Sequence, residues 1–96
     1  MTWRVAPNSI AMLAEMLMFS NTPYAIEVCE RSGRVLDRFC AMGRSERPYP
    51  RFYIGADENH LQMTTEAELA RRLEAGPVIR FSTSIMATRA SREAAQ

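Results

Sequence analysis

The hydrophobic pattern begins with a segment that is apolar on nearly every side. Residues 10–19 contain good helix formers and neither glycine nor proline, and the residues that follow, 21–23, would end a helix there. Two stripes recur at helical spacing: Ile10, Leu13, Ala14 and Leu17 on one side, and Met12, Met16 and Phe19 on another. We expect the first stripe to pack on a sheet. The methionine-rich second stripe is a candidate interaction surface, because a small domain seldom buries two stripes; the alternative is that both lie in the core.

Two runs rich in β-branched and aromatic residues come next, at 24–30 and 34–41, with a short glycine-containing turn between them. This pattern predicts a β-hairpin. A three-residue loop with a left-handed Gly33 would pair Glu30 with Arg34. A two-residue loop would pair Glu27 with Arg38 instead, and the sequence leaves both registers open.

The rest of the chain predicts two or three further strands and a second helix. The predicted elements are a loop at 43–50, a strand at 51–54, a short fourth strand or only a lead-in at 60–63, a helix at 66–75 after the capping box that begins at Thr65, and a strand at 78–83. The order α-β-β-β-(β)-α-β predicts an α+β fold, in which two helices pack on a mainly antiparallel sheet of 3–5 strands. We expect one domain over residues 1–84 and a frayed helix or disordered tail over 85–96.

Composition is consistent with a single globular domain. The chain has 96 residues, of which 47% are apolar and 24% charged, and its net charge is +1. All twelve basic residues are arginine, which a GC-rich genome would explain together with the thirteen alanines. The alternative is that arginine serves bidentate pairing with carboxylates or phosphates, which lysine cannot reproduce.

The cysteines and the apolar segments point to a cytoplasmic protein without cofactors. Cys29 and Cys40 are too few for a disulfide scaffold, and their predicted strand positions lie too far apart for a disulfide. A single histidine cannot complete a zinc site with two distant thiols. The apolar stretch at 10–19 is half the length of a membrane span, so we expect no membrane association.

Charge is unevenly distributed along the chain. Residues 31–53 contain six arginines and two acidic residues, a local charge of +4, which leaves −3 elsewhere. The candidate partner-binding residues are Arg44, Arg47, Tyr49, Arg51 and Tyr53, because arginine and tyrosine are enriched in interface hot spots. The same residues could bind phosphates and stack bases. The competing interpretation is that these arginines pair with acidic residues of the sheet, such as Glu27 and Glu30.

An enzymatic function has little support in the sequence. His60 is the only histidine, and it follows Asp57 and Glu58, but all three lie in a predicted polar turn where carboxylates are ordinarily solvated. The chain contains no motif of a known catalytic or nucleotide-binding site. We therefore predict no catalytic residues and no enzyme.

The remaining features favour a non-catalytic protein-interaction module, such as a small inhibitor or accessory subunit. Small phage and plasmid accessory proteins have this size and this lack of motifs. We expect a protein or nucleoprotein partner with an acidic surface, contacted through the Arg/Tyr loop and the methionine-rich helix. The alternatives are a nucleic-acid-binding protein that uses the patch at 31–53, and a homodimer in which the second stripe packs against a symmetric copy.

Overall fold

The computed structural model describes residues 3–6 and 9–83. Its elements, in chain order, are β1 Arg4–Ala6, α1 Ile10–Ser20, β2 Tyr24–Cys29, β3 Val35–Arg44, β4 Arg51–Gly55, β5 Gln62–Thr64, α2 Glu66–Leu73 and β6 Val78–Thr83. The strands form one antiparallel sheet in the order β1-β6-β2-β3-β4-β5. The predicted tail at 85–96 lies outside the described residues.

The structure confirms the α+β class with two helices, but the predicted number of strands is wrong. The sheet has six strands rather than 3–5. The strand that the prediction lacks is β1, whose three residues pair with β6. So short a strand shows no alternating pattern, and it is held in place by a partner more than seventy residues away. The optional fourth strand is present, as Gln62–Thr64.

The predicted start of the loop at 43–50 is also wrong, because β3 continues through Gly43 to Arg44. Helix α1 packs directly over Gly43, where a Cβ atom would lie 3.1 Å from the Cβ of Leu17. Glycine therefore allows the helix to approach the strand closely. The longer strand places Arg44 directly opposite Arg51 of β4.

The β2–β3 hairpin combines the two registers that the sequence left open. At the turn, Gly33 is left-handed with φ of 96°, and the Glu30 amide donates to the carbonyl of Arg34 at 2.9 Å. The register then shifts by one residue between Val28 and Cys29, and beyond this bulge Glu27 lies opposite Arg38. A β-bulge of this kind inserts one unpaired residue into one strand.

Both helices pack on the same face of the sheet. The core contains Leu13 and Leu17 of α1, Leu69 and Leu73 of α2, and the sheet residues Ile26, Val28, Phe39, Phe52 and Ile79. An ion pair also ties α2 to the sheet, because Arg72 donates two hydrogen bonds to Asp37, at 3.0 and 2.9 Å. The first stripe of α1 thus packs on the sheet as predicted.

The other face of the sheet, which we call the helix-free face, has a buried carboxylate at its centre. Glu27 is 3% exposed and lies between Arg38 of β3 and Arg80 of β6. Arg38 donates from Nε at 2.9 Å and from a terminal nitrogen, and Arg80 donates at 2.9 Å to the other carboxylate oxygen. The Nε of Arg80 is buried without a hydrogen-bond partner in the described residues, so the charge of Arg80 is compensated chiefly through Glu27.

Replacing Glu27 tests how much this cluster stabilises the sheet. Glu27→Ala should lower the free energy of unfolding by about 3 kcal/mol, because it leaves a partly buried guanidinium without its carboxylate. Glu30→Ala is the matched control: its ion pair with Arg34 is exposed and 3.9 Å long, so its loss should cost less than about 0.5 kcal/mol. Urea unfolding followed by circular dichroism measures both, and equal values would contradict the account.

Candidate functional site

Two arginines and a tyrosine of the predicted partner-binding set lie together on the helix-free face. Arg44 of β3 and Arg51 and Tyr53 of β4 share this face because Arg44 pairs with Arg51, and Tyr53 follows two positions along β4. The Arg44 guanidinium lies 5.8 Å from the centroid of the Tyr53 ring, in cation–π geometry. The guanidinium of Arg51 bridges Glu46, at 3.2 Å, and the sulfur of Met63, at 3.7 Å.

The other two predicted residues lie in the loop between β3 and β4. The Tyr49 side chain is 76% exposed. Together with Arg51 it lines a groove of about 500 Å³, which Phe52 and Met63 also line. Arg47 is exposed, and no described ion pair includes it, so the structure does not join it to the other four.

Much of the local positive charge is compensated within the protein. Of the arginines between 31 and 53, Arg34 pairs with Glu30, Arg38 with Glu27, and Arg51 with Glu46. Glu27 and Glu30 thus pair with arginines of this segment, but with Arg38 and Arg34 and not with Arg44, Arg47 or Arg51. The charge that remains for a partner lies mainly at one end of the sheet, where β3 ends at Arg44 and the exposed Arg47 follows.

The second stripe of α1 is only partly exposed. Phe19 is 81% exposed and Met12 55%, whereas Met16 packs partly against the core. The interpretation that both stripes are core is therefore wrong for Met12 and Phe19. The prediction of an exposed stripe is wrong in part for Met16.

The exposed end of α1 and the loop after β3 lie at the same end of the molecule. A groove of about 560 Å³ lies there. Its lining residues are Met18 in the last turn of α1, Asn21 directly after the helix, and Arg44, Ser45 and Glu46. Phe19 is the next residue after Met18. We use the name end surface for four exposed candidate residues, namely Met12 and Phe19 of α1 and Arg47 and Tyr49 of the loop after β3.

Charged side chains lie on both sides of the sheet. The strands of the helix-free face carry four arginines and one glutamate, namely Arg38, Arg44, Arg51, Arg80 and Glu27. The Glu58 carboxylate lines a groove with Arg44 and Tyr53 on this face, and Glu46 pairs with Arg51. The helices and the residue that ends α2 have four glutamates and two arginines, namely Glu15, Glu66, Glu68, Glu74, Arg71 and Arg72.

Of the residues considered for catalysis, His60 and Asp57 form a pair at the surface. The Nδ1 of His60 lies 2.7 Å from Asp57, and both side chains are at least half exposed. The hydrogen bond from His60, with a second from the Asn59 amide, holds the pKa of Asp57 below its usual value. Burial raises the pKa of the Cys40 thiol, and the nearby carboxylates of Asp57 and Glu58 raise it further. Cys40 is therefore a poor nucleophile at neutral pH.

Neither metal ligation nor a membrane span is found in the part of the chain that the structure describes. No group of three His, Cys, Asp or Glu side chains there could hold a metal ion. Cys29 and Cys40 are both free and buried. No described helix is long and apolar enough to cross a membrane.

Sequence reasoning missed a groove beside Tyr53 on the helix-free face. It has a volume of about 440 Å³, and its lining residues are Pro23, Met42, Arg44, Tyr53, Glu58, Asn59 and Leu61. The alternation of Met42 and Arg44 along β3 would have placed these two side chains on one face. The loop residues come from a segment that the pattern treats only as a polar turn.

Comparison with known proteins finds no family model, no curated protein and no solved structure that matches this chain. A function can therefore be inferred only from the geometry of the end surface and of the helix-free face.

The raised pKa of Cys40 gives a prediction for its reactivity. At pH 8, iodoacetamide should alkylate Cys40 at least about tenfold more slowly in the folded protein than in urea, because burial both shields the thiol and disfavours the thiolate. Peptide mass spectrometry after timed quenching measures the two rates. Equal rates would show that the Cys40 thiol is accessible and reactive in the folded protein.

Substitutions on α1 test how much each of its two stripes contributes to the free energy of unfolding. Leu17→Ala should lower the free energy of unfolding by about 3 kcal/mol, because Leu17 is fully buried. Phe19→Ala should change it by less than about 0.5 kcal/mol, because the ring contributes little to the core. Thermal and urea unfolding measure both variants, and a large loss for Phe19→Ala would assign that ring to the fold rather than to a partner.

Proposed function

We propose that this protein is a non-catalytic interaction module, an inhibitor or accessory subunit that binds a larger protein or nucleoprotein complex through the end surface. The single observation that carries the proposal is the exposure of two aromatic side chains, Phe19 in the last turn of α1 and Tyr49 in the loop after β3. Exposed aromatic residues next to arginine are the usual anchors of protein interfaces. Phe19 also belongs to a helix whose opposite stripe is already buried, so its exposure does not serve the core.

The chemistry of the end surface indicates the kind of partner. Met12 adds a flexible apolar side chain, which adapts to irregular surfaces. Arg47 adds a charge that no described ion pair compensates, and no described ion pair includes Arg44, whose guanidinium lies over the Tyr53 ring. A partner with an apolar pocket and an acidic rim would complement this combination.

Affinity purification from native cells tests the proposal. The tagged protein should retain a reproducible set of partners, and the two variants Phe19→Ser and Arg47→Glu/Tyr49→Ala should each lose most of that set. The matched control is Arg34→Glu/Leu36→Ala, which makes the same kinds of change at the opposite end of β3. Quantitative mass spectrometry compares the four preparations. Partners that survive in both end-surface variants would contradict the proposed surface.

The same helix could instead bind a second copy of this chain. Sedimentation velocity across a wide concentration range measures this directly. If the end surface binds a different protein, the purified chain should sediment as a 10.9 kDa monomer throughout. A dimer that Phe19→Ser dissociates would replace the proposed partner by a second copy.

A further inference from the structure

Arg44 and Arg51 place two like charges directly opposite each other on the helix-free face. They are antiparallel partners on neighbouring strands, a position where like charges are destabilising. Glu46 contacts Arg51, and the guanidinium of Arg44 lies against the Tyr53 ring. A bound anion could pair with Arg44, which no described ion pair includes, and with the terminal nitrogens of Arg51, whose Nε faces Glu46. Phosphate oxygens match the planar donor fork of arginine well.

The ring of Tyr53 provides a stacking surface beside this cation pair. The groove of about 440 Å³ next to it has the size of a small-ligand pocket. Its lining combines the Tyr53 ring, the Met42 thioether, the Glu58 carboxylate and the Asn59 amide. The amide has both a donor and an acceptor for the edge of a base. Unpaired bases stack on aromatic rings and on guanidinium planes in this way.

A second groove lies beside Arg51 at the end of the sheet, where β4 begins and β5 leads into α2, and Phe52 and Glu66 also line it. Its volume is about 500 Å³, and Tyr49, Arg51 and Met63 are among its lining residues. Two grooves, each with a tyrosine, therefore flank a pair of arginines across β3, β4 and β5. This alternation of rings and cations fits successive bases and phosphates of a single strand. A protein with acidic side chains would use the arginines but would not need two aromatic grooves.

We propose that the helix-free face at β3–β5 binds single-stranded nucleic acid, with Arg44 and Arg51 on the phosphates and bases stacked beside Tyr53 and Tyr49. A duplex does not fit this site, because its bases are already stacked on each other. The site is separate from Phe19 and Met12, and it shares Tyr49 with the end surface.

Fluorescence anisotropy with labelled twelve-nucleotide dT and rU strands tests the inference on the purified full chain. Both strands should bind, and a duplex of the same length should bind at least about tenfold more weakly. Two phosphate contacts predict a salt slope of about −1.4 on logarithmic axes, so affinity should fall about sevenfold between 50 and 200 mM salt. Absence of binding at 50 mM salt, or equal affinity for the duplex, would overturn the proposal.

Substitutions identify the residues that carry the binding. Tyr53→Leu should weaken single-strand binding at least about fivefold while Tyr53→Phe keeps it, because stacking needs the ring and not the hydroxyl. Arg44→Gln should weaken binding and reduce the salt slope by about 0.7. Arg34→Gln, on an exposed arginine at the other end of β3, is the control and should change neither.

Competition with polyglutamate and heparin separates this site from simple attraction of polyanions. At equal charge concentration, both competitors should displace rU less effectively than unlabelled rU does, and Tyr53→Leu should leave heparin binding unchanged. Polyglutamate that competes as well as rU would assign the site to an acidic protein instead.

Tyr49→Leu, on an exposed ring, repeats the stacking test if Tyr53→Leu fails to fold. These results are independent of partner capture through Phe19, so each proposal can fail alone.

Discussion

The buried carboxylate of Glu27 constrains the register of the three central strands. A carboxylate at this depth must be paired and hydrogen-bonded, and its partners come from the strands on both sides of β2. A slip of β3 by one residue would place Asp37 or Phe39 opposite Glu27, and a slip of β6 would place Ile79 or Phe81 there. The bulge near the β2–β3 turn is the adjustment that lets a three-residue loop coexist with the Glu27–Arg38 pairing.

The same cluster gives the helix-free face a polar centre. A sheet that is covered by helices on one face usually keeps its other face solvated or uses it for contacts. The buried residues near Glu27 on this face are small. The larger exposed side chains of the face lie on β3, β4 and β5, and they include Arg44, Arg51 and Tyr53.

The sequence predicts the elements whose signals are local, and it fails where long-range pairing decides. The α2 cap at Thr65 is such a local signal: its hydroxyl accepts from the Glu68 amide at 3.1 Å. The Glu68 carboxylate, however, pairs with Arg71 at 3.1 Å instead of completing the capping box. Strand β1 could not be predicted, because its three residues become a strand only by pairing with β6.

The candidate site was predictable in composition but not in arrangement. Arginine and tyrosine between 44 and 53 are visible in the sequence, yet their division between the end surface and the helix-free face depends on β3 extending to Arg44. That extension depends on Gly43 fitting beneath α1, which is a tertiary contact. The exposure of Phe19 was equally undetermined, because nothing in an all-apolar helix shows how many of its sides the domain covers.

We propose two binding surfaces on this protein, the end surface and the β3–β5 part of the helix-free face. Hydroxyl-radical footprinting of the free protein and of its native complex tests this most directly. Met12, Phe19, Tyr49, Tyr53 and Met63 should be oxidised readily in the free protein and protected in the complex, while the exposed side chains of α2 react equally in both. Protection confined to α2, with these five side chains unchanged, would contradict the claim.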